Sequence, residues 1–205
     1  KIFCTLGPSS LNNIFFKKSK KHNIELFRIN LSHTEIKDLK NIINYIKKKT
    51  NVPICIDTEG AQIRTRFKNK KLLKINKFIK INNNDKSNNL SFYPDIYNQL
   101  SLNMILDIGF ENLQIKIIKK EKNCFLAKII SEGHLEKNKG VHINNGSITL
   151  PILTNKDLEA IKIAKKMKIN NFALSFTNSP KDIFFFNTIL SKERKIIKIE
   201  TKKAV

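Results

Sequence analysis

Three kinds of hydrophobic spacing follow one another along the chain. In the first third, short apolar runs alternate with helical spacing. "KIFCTL" (1–6), "IELFRIN" (24–30) and "VPICIDTEG" (52–60) predict strands. Between them, residues 11–22 predict a short helix with a lysine-rich outer face, and "TEIKDLKNIINYIKKK" (34–49) predicts a longer one. Ile36, Leu39, Ile43 and Ile46 share a face of that helix, with Thr34 as its expected cap. "GPSS" after the first strand is turn and cap material. A β-α-β-α-β order calls for parallel strands joined by right-handed crossovers.

After "QIRTRF" the helical period disappears. From residue 65 to about 150 the runs "KLLKINKFIKI", "MILDIGF", "LQIKIIKK" and "CFLAKII" are separated by Asn-, Lys- and Gly-containing turns, which predicts a small, mostly antiparallel β domain. The polar stretch "NNNDKSNN" (82–89) reads as a loop. Helical spacing returns in "LPILTNKDLEAIKIAKKM", with Thr154 as cap and Leu158, Ile161 and Ala164 on one face. "NNFALSF" (170–176) predicts a strand, "SPKDIFFFNTIL" (179–190) a helix and "RKIIKIE" (194–200) another strand. The fold class is therefore α/β, divided as 1–64, 65–150 and 151–205. Such a βα series closes either as an open doubly wound sheet or as a (β/α)8 barrel.

The formal charge of +22 invites a nucleic-acid reading, but the kind of base argues against it. Of 39 basic residues only Arg28, Arg64, Arg66 and Arg194 are arginine. Phosphate and base-edge recognition favours arginine's fork, and no stretch interleaves basic clusters with aromatic stacking platforms. Lysine travels with Asn and Ile, residues of AT-rich codons, so biased base composition explains the charge at least as well as a ligand does. The expectation is no nucleic-acid partner, with a general attraction for small anions. No apolar run reaches membrane-spanning length, so no membrane partner is expected. Cys4, Cys55 and Cys124 lack metal-ligand spacing and read as buried thiols of a reducing compartment, cytoplasmic or within a reduced organelle or endosymbiont. The start at "KIFCTL", with no methionine or signal-like region, reads as cropped or processed.

Polar residues gather at one end of every predicted parallel strand. Thr5, Gly7 and Pro8 follow the first; Arg28, Asn30, Ser32 and His33 follow the second; Asp57, Thr58 and then Arg64 follow the third. Ser175 and Phe176 close the fourth, and Lys198 with Glu200 closes the fifth. In parallel α/β architectures the C-terminal strand edge is where sites are built. The residue types suit a phosphorylated anion and cations. Arg28 and Arg64 can fork onto phosphate oxygens. Asp57, Asn30, Ser32, Thr58 and Glu200 are hard oxygen ligands.

The segments "CTLGPSS", "FRINLSHT", "IDTEGAQIRT", "LEKNKGVHI", "LPILTNKDLEAI", "FALSF" and "IIKIE" resemble, in order and spacing, the signature segments of the pyruvate kinase family. The resemblance implies a TIM-type (β/α)8 barrel with a β-barrel-like lid domain inserted after the third strand. About five of eight βα units would lie within these residues, so the barrel would be incomplete. It implies phosphoryl transfer from phosphoenolpyruvate to ADP, the last step of glycolysis, with Mg²⁺ or Mn²⁺ and K⁺ as cofactors. Arg28, Arg64 and Lys198 would hold the phosphoryl group and stabilise the developing charge. Pro8, His33 and Lys139 match positions near the nucleotide, ADP or ATP. Asn30, Ser32, Asp57 and Thr58 would bind the monovalent cation, and Glu200 the divalent one. The full-length family member is a homo-oligomer, a tetramer.

This chain also departs from the family pattern. Glu59 stands where lysine is usual, and Gln62 where potassium-dependent members carry glutamate, which puts K⁺ dependence in doubt. "SFTN" replaces "SFIR", leaving Asn178 in place of a basic residue. "LDIGF" varies the family's "DDG", and "IETKKAV" loses the usual Asn-Gln-Glu-Gly. The family's second metal-ligand aspartate falls beyond residue 205, so these residues alone are expected to be inactive. The alternative is a degenerate, non-catalytic member that binds phosphorylated ligands or serves as a subunit.

Overall fold

The computed structural model describes residues 2–60, 62–83, 89–109, 112–201 and 204. The central part of the loop read at 82–89 and most of the altered "TKKAV" segment lie outside them. In chain order, β1 (Ile2–Leu6), α1 (Asn13–Ser19), β2 (Ile24–Asn30), α2 (Ile36–Lys49) and β3 (Ile54–Asp57) come first. Nine strands follow: β4 (Ile63–Arg66), β5 (Lys71–Leu73), β6 (Phe78–Ile81), β7 (Ser91–Tyr93), β8 (Ile105–Ile108), β9 (Leu113–Lys120), β10 (Phe125–Ser131), β11 (Gly133–Leu135) and β12 (Gly140–Ile143). The chain then forms α3 (Asn155–Lys166), β13 (Asn171–Leu174), α4 (Pro180–Ile189) and β14 (Arg194–Ile197). It divides into two compact units, Lys1–Ala61 with Pro151–Val205, and Gln62–Leu150.

The first unit is a five-stranded sheet in the order β1-β2-β3-β13-β14, every neighbouring pair parallel. Alternation along the strands gives the sheet two unlike faces. Phe27, Ile29, Ile54, Ile56, Phe172 and Leu174 point to one side and pack with residues of all four helices. Burying one such side chain contributes roughly 1.5–3 kcal/mol. Helix α2 joins this core through Leu39, Ile43 and Ile46, fully buried at helical spacing, while Lys47, Lys48 and Lys49 complement its C-terminal dipole. The other face carries a smaller apolar patch, Leu26, Cys55 and Ala173 with Ile196 against it. Beyond that patch, toward the strand ends, the side chains turn polar.

The second unit is a seven-stranded sheet, β6-β10-β9-β8-β12-β4-β7, antiparallel at each pairing. A bridge between Ile81 and Leu90 brings its two ends together, so the sheet is a nearly closed barrel. Alternate residues of β9 and β10, among them Leu113, Ile115, Ile117, Ala127 and Ile129, fill its interior. A separate pair, β5 with β11, completes the unit. No helix of the described residues is long and apolar enough to cross a membrane.

Several expectations are corrected. The longer helix is capped at Glu35, not Thr34, because the Thr34 hydroxyl instead donates to the Asn30 carbonyl (2.9 Å). The helix read at 11–22 is shorter because the Asn12 side chain caps it, accepting from the Phe15 amide. "KLLKINKFIKI" is two strands, β5 and β6, separated by a turn in which Asn76 takes a left-handed φ of 65°. The third strand stops at Asp57, and Gly60 turns the chain with φ +70°. A Cβ there would lie 2.6 Å from the Ser175 carbonyl, so the close approach also requires glycine. Cys4 is only half-buried, on a strand at the sheet edge, whereas Cys55 and Cys124 are buried.

Asp157 anchors the loop that follows β3. It is the third residue of α3 and forms a capping box with Thr154, accepting the Thr154 amide at 2.9 Å while the Thr154 hydroxyl accepts the Asp157 amide at 3.0 Å. Its fully buried carboxylate also accepts the amides of Glu59 (2.7 Å) and Gly60 (3.3 Å). Lys156 adds a second tie, donating to Glu59 (2.7 Å) and to the Leu31 carbonyl (2.6 Å). Thr154→Ala removes one cap and is expected to cost about 1 kcal/mol. Asp157→Ala strands the buried Thr154 and Gly60 amides and the half-buried Glu59 amide, and is expected to cost about 3 kcal/mol or more. Urea unfolding of the two variants checks this; equal losses would mean that the bonds to Glu59 and Gly60 contribute nothing.

Candidate functional site

At the C-terminal edge of the parallel sheet one carboxylate collects side chains from three other strands or strand ends. Asp57 ends β3 and is 1% exposed. Arg28 on β2 places a guanidinium nitrogen 3.2 Å from Asp57 Oδ2. Lys198, just past β14, places Nζ 2.9 Å from Oδ1 and 3.1 Å from Oδ2. The Ser175 hydroxyl, just past β13, stands 3.2 Å from Oδ1 and donates to the Thr58 carbonyl at 2.6 Å. The Ser175 amide in turn donates to the Thr58 hydroxyl (3.0 Å). Register explains the convergence. Arg28 pairs with Cys55 and Asn30 with Asp57, so Arg28 and Asp57 lie on the same face, two residues apart along their strands.

Around this carboxylate the edge is positively charged. Arg28 is held by a bond from its Nε to the Thr5 hydroxyl (2.8 Å), and its side chain remains one-third exposed. Lys198 also faces Glu200, at 3.6 Å from Oε1. Strand β14 stops at Ile197, short of the reading that ran it to Glu200, yet Lys198 and Glu200 still reach the same place. The second Glu200 oxygen accepts the Phe176 amide (2.9 Å). Lys198 is shared between Asp57 and Glu200, so the positive charge accessible at this edge is that of the one-third exposed Arg28 side chain.

The remaining candidates divide by unit. Asn30 stands beside Asp57 in register, and its side-chain oxygen accepts the Ser32 amide (2.9 Å), capping the 3₁₀ turn Leu31–His33. His33 is exposed at the end of that turn. Pro8 is exposed in the turn after β1. Thr58 is buried and bound to Ser175 through both its hydroxyl and its carbonyl. Arg64 and Lys139 belong to the second unit and share a corner of it. Arg64 pairs with Gly140 and donates to the Asn138 carbonyl (3.2 Å), while Lys139 lies 3.4 Å from Glu136.

The donor set can be tested against the implied cations. Glu200 offers one carboxylate, and among the described residues no three His, Cys, Asp or Glu side chains cluster to hold a metal by themselves. One carboxylate with substrate oxygens and water is nonetheless a usual Mg²⁺ arrangement, so Glu200 fits that role. The monovalent-cation set fits poorly. Its oxygens are hard, but its single charge, on Asp57, already faces Arg28 and Lys198. Gln62 is neutral, with its side-chain oxygen buried and unpaired.

Sequence reading missed Asp157 and the partners of Asn178. The spacing Thr154-x-x-Asp157 is a capping-box signal and could have found the first. Asn178 donates to the Phe176 carbonyl (2.9 Å) and accepts from the Thr201 hydroxyl (2.5 Å), a pairing across 23 residues that no local pattern marks.

The sequence model described as "Pyruvate kinase, barrel domain" matches residues 1–205. The pyruvate kinase of Staphylococcus epidermidis is 29% identical over 215 aligned positions, covering 98% of this chain and 37% of that protein. Those of Staphylococcus haemolyticus (28%, covering 94% of this chain and 35% of that protein) and Staphylococcus aureus (28%, covering 98% and 37%) are similarly related. The chain therefore belongs to the pyruvate kinase family, and it spans little more than a third of the length of these relatives.

Cys55 reports on the apolar patch beneath the site. Burial, aided by the Asp57 charge and opposed by Arg28 and Lys198, pushes its thiol up to about 12. Near pH 8 it therefore stays protonated as well as buried. Iodoacetamide is expected to label half-exposed Cys4 first and Cys55 only as the chain unfolds, as read by peptide mass spectrometry. Labelling of Cys55 as fast as Cys4 would show that the face below Asp57 is open.

Proposed function

We propose that this member of the pyruvate kinase family binds phosphoenolpyruvate at the Arg28–Lys198 edge, for phosphoryl transfer to ADP in the protein of which these residues are the barrel part. The observation that carries the reading is the pairing of both cations with buried Asp57, which holds them at a strand edge, with Arg28 keeping guanidinium donors beyond those that meet Asp57 and Thr5. Phosphoryl transfer needs positioning and fixed positive charge more than covalent chemistry. Arg28 would grip phosphoryl oxygens with its fork. Lys198 would face the charge that develops on the enolate oxygen, its ammonium already aimed by Asp57 and Glu200. A divalent cation held through Glu200 would supply further neutralisation of phosphate charge. We derive no step through K⁺, because the Asp57 charge is already matched.

Fold supports the same reading. The strand order β1-β2-β3-β13-β14 never reverses, and the helices pack on one face only. A doubly wound sheet reverses its order and covers both faces. We read the five strands as the first five of a (β/α)8 barrel, with the β-rich unit corresponding to the family's inserted domain.

The test is calorimetric titration of the 205-residue chain with phosphoenolpyruvate in Mg²⁺, followed by assay of pyruvate release with ADP. Binding is expected without turnover by these residues alone, because the resemblance places the family's second metal-ligand aspartate outside them. Arg28→Ala should weaken binding about tenfold or more, as loss of a charge-assisted contact does. Absence of binding, or binding indifferent to Arg28→Ala, would overturn the proposed site. In any active longer form, adding K⁺ should raise the rate only weakly. Full dependence on K⁺ would contradict the charge argument.

A further inference from the structure

Phe176 has a left-handed φ of 53°, a conformation that a bulky side chain avoids. It persists here because its peptide groups are held from both sides. Its amide donates to Glu200 Oε2 (2.9 Å), and its carbonyl accepts from the Asn178 side-chain amide (2.9 Å). The other end of the Asn178 amide, Oδ1, accepts from the Thr201 hydroxyl (2.5 Å), and Thr201 is bonded in the chain to Glu200. These contacts close a ring, Glu200–Phe176–Asn178–Thr201, across the ends of β13 and β14. The base of the ring is fixed as well. The Asn178 backbone amide donates to Asp182 at the start of α4 (2.7 Å), and the Thr177 and Lys198 amides donate to the Lys198 and Leu174 carbonyls.

We infer that Asn178 and Thr201 are positioning residues for Glu200, acting through the backbone of Phe176. Asn178 holds the Phe176 carbonyl, on the peptide that follows, and so keeps Phe176 in the left-handed conformation in which the N–H of the preceding peptide meets the Glu200 carboxylate, while Thr201 fixes which way the Asn178 amide faces. Oε2 is thereby tied down, and Oε1 is left toward Lys198. Asn178 and Thr201 both stand in segments where the chain departs from its family's pattern, and here they bond to each other. The inference rests on the reading of Glu200 as a divalent-cation ligand for its consequence, but not for its geometry.

The experiment uses the ¹⁵N-labelled chain and the variants Asn178→Ala, Thr201→Val, Thr201→Ser and Glu200→Gln. In the parent chain the bond to the Glu200 carboxylate should protect the Phe176 amide from hydrogen exchange and shift its resonance downfield, and Glu200→Gln, a neutral and weaker acceptor, should reduce both. Asn178→Ala and Thr201→Val should reduce both with little change in melting temperature, while Thr201→Ser, which keeps the hydroxyl, should retain them. Mn²⁺ binding, read from the free-ion paramagnetic resonance signal, should weaken about tenfold in the first two variants, as loss of an outer-shell partner does. Unchanged Phe176 protection and shift in Asn178→Ala and Thr201→Val would overturn the inference. Mn²⁺ affinity unchanged in Glu200→Gln would remove the proposed metal role of Glu200, while the Phe176 amide would still decide the positioning by itself.

Discussion

A carboxylate as deeply buried as Asp57 must be paired, because an isolated buried charge costs several kcal/mol that nothing else in the structure returns. The chain meets that demand with Arg28 from β2, Lys198 from beyond β14 and the Ser175 hydroxyl near by from beyond β13. The same demand gives the sheet edge its chemistry. Of the cations that neutralise Asp57, Arg28 is held with donors to spare, and a phosphorylated anion is what such an edge suits. The apolar patch of Leu26, Cys55 and Ala173 below keeps that carboxylate away from water on its inner side.

Asp157 does for the backbone what Asp57 does for the side chains. By accepting the Glu59 and Gly60 amides it fixes the loop immediately after Asp57 and Thr58. Gly60 can then pass close to the Ser175 carbonyl, and Ser175 can bond Thr58 from the neighbouring strand. The start of α3, the end of β3 and the end of β13 are locked to one another around two acidic side chains. Glu59, which replaces the family's usual lysine, is accommodated by Lys156 at 2.7 Å.

Periodicity made the parallel strands and α2 legible, because each depends on a local alternation of buried and exposed positions. The cap at Thr154 was legible from its residue type and place before the helical spacing, but its capping-box partner Asp157 went unread. What local pattern could not supply was competition between partners. Thr34 was a plausible cap until the Asn30 carbonyl took its hydroxyl. "KLLKINKFIKI" has no breaker stronger than Asn76, so its turn is set by pairing of β5 with β11 and β6 with β10. Polar residues at the strand ends could be seen to share an edge, and the structure brings Arg28, Asp57, Lys198 and Glu200 together there. The bonds of Asn178 to Phe176 and Thr201 were invisible, since they join segments whose meeting depends on the completed sheet.

Asp57 and Lys198 stabilise each other and not merely themselves. The most direct measurement is a double-mutant cycle of Asp57→Asn and Lys198→Met, with urea unfolding followed at resonances of the first unit. A buried, bidentate pair should give a coupling of about 2 kcal/mol or more, each single change leaving the other's charge poorly matched. Additivity within about 0.5 kcal/mol would show that the two charges are independent, and the edge would then have no organising carboxylate.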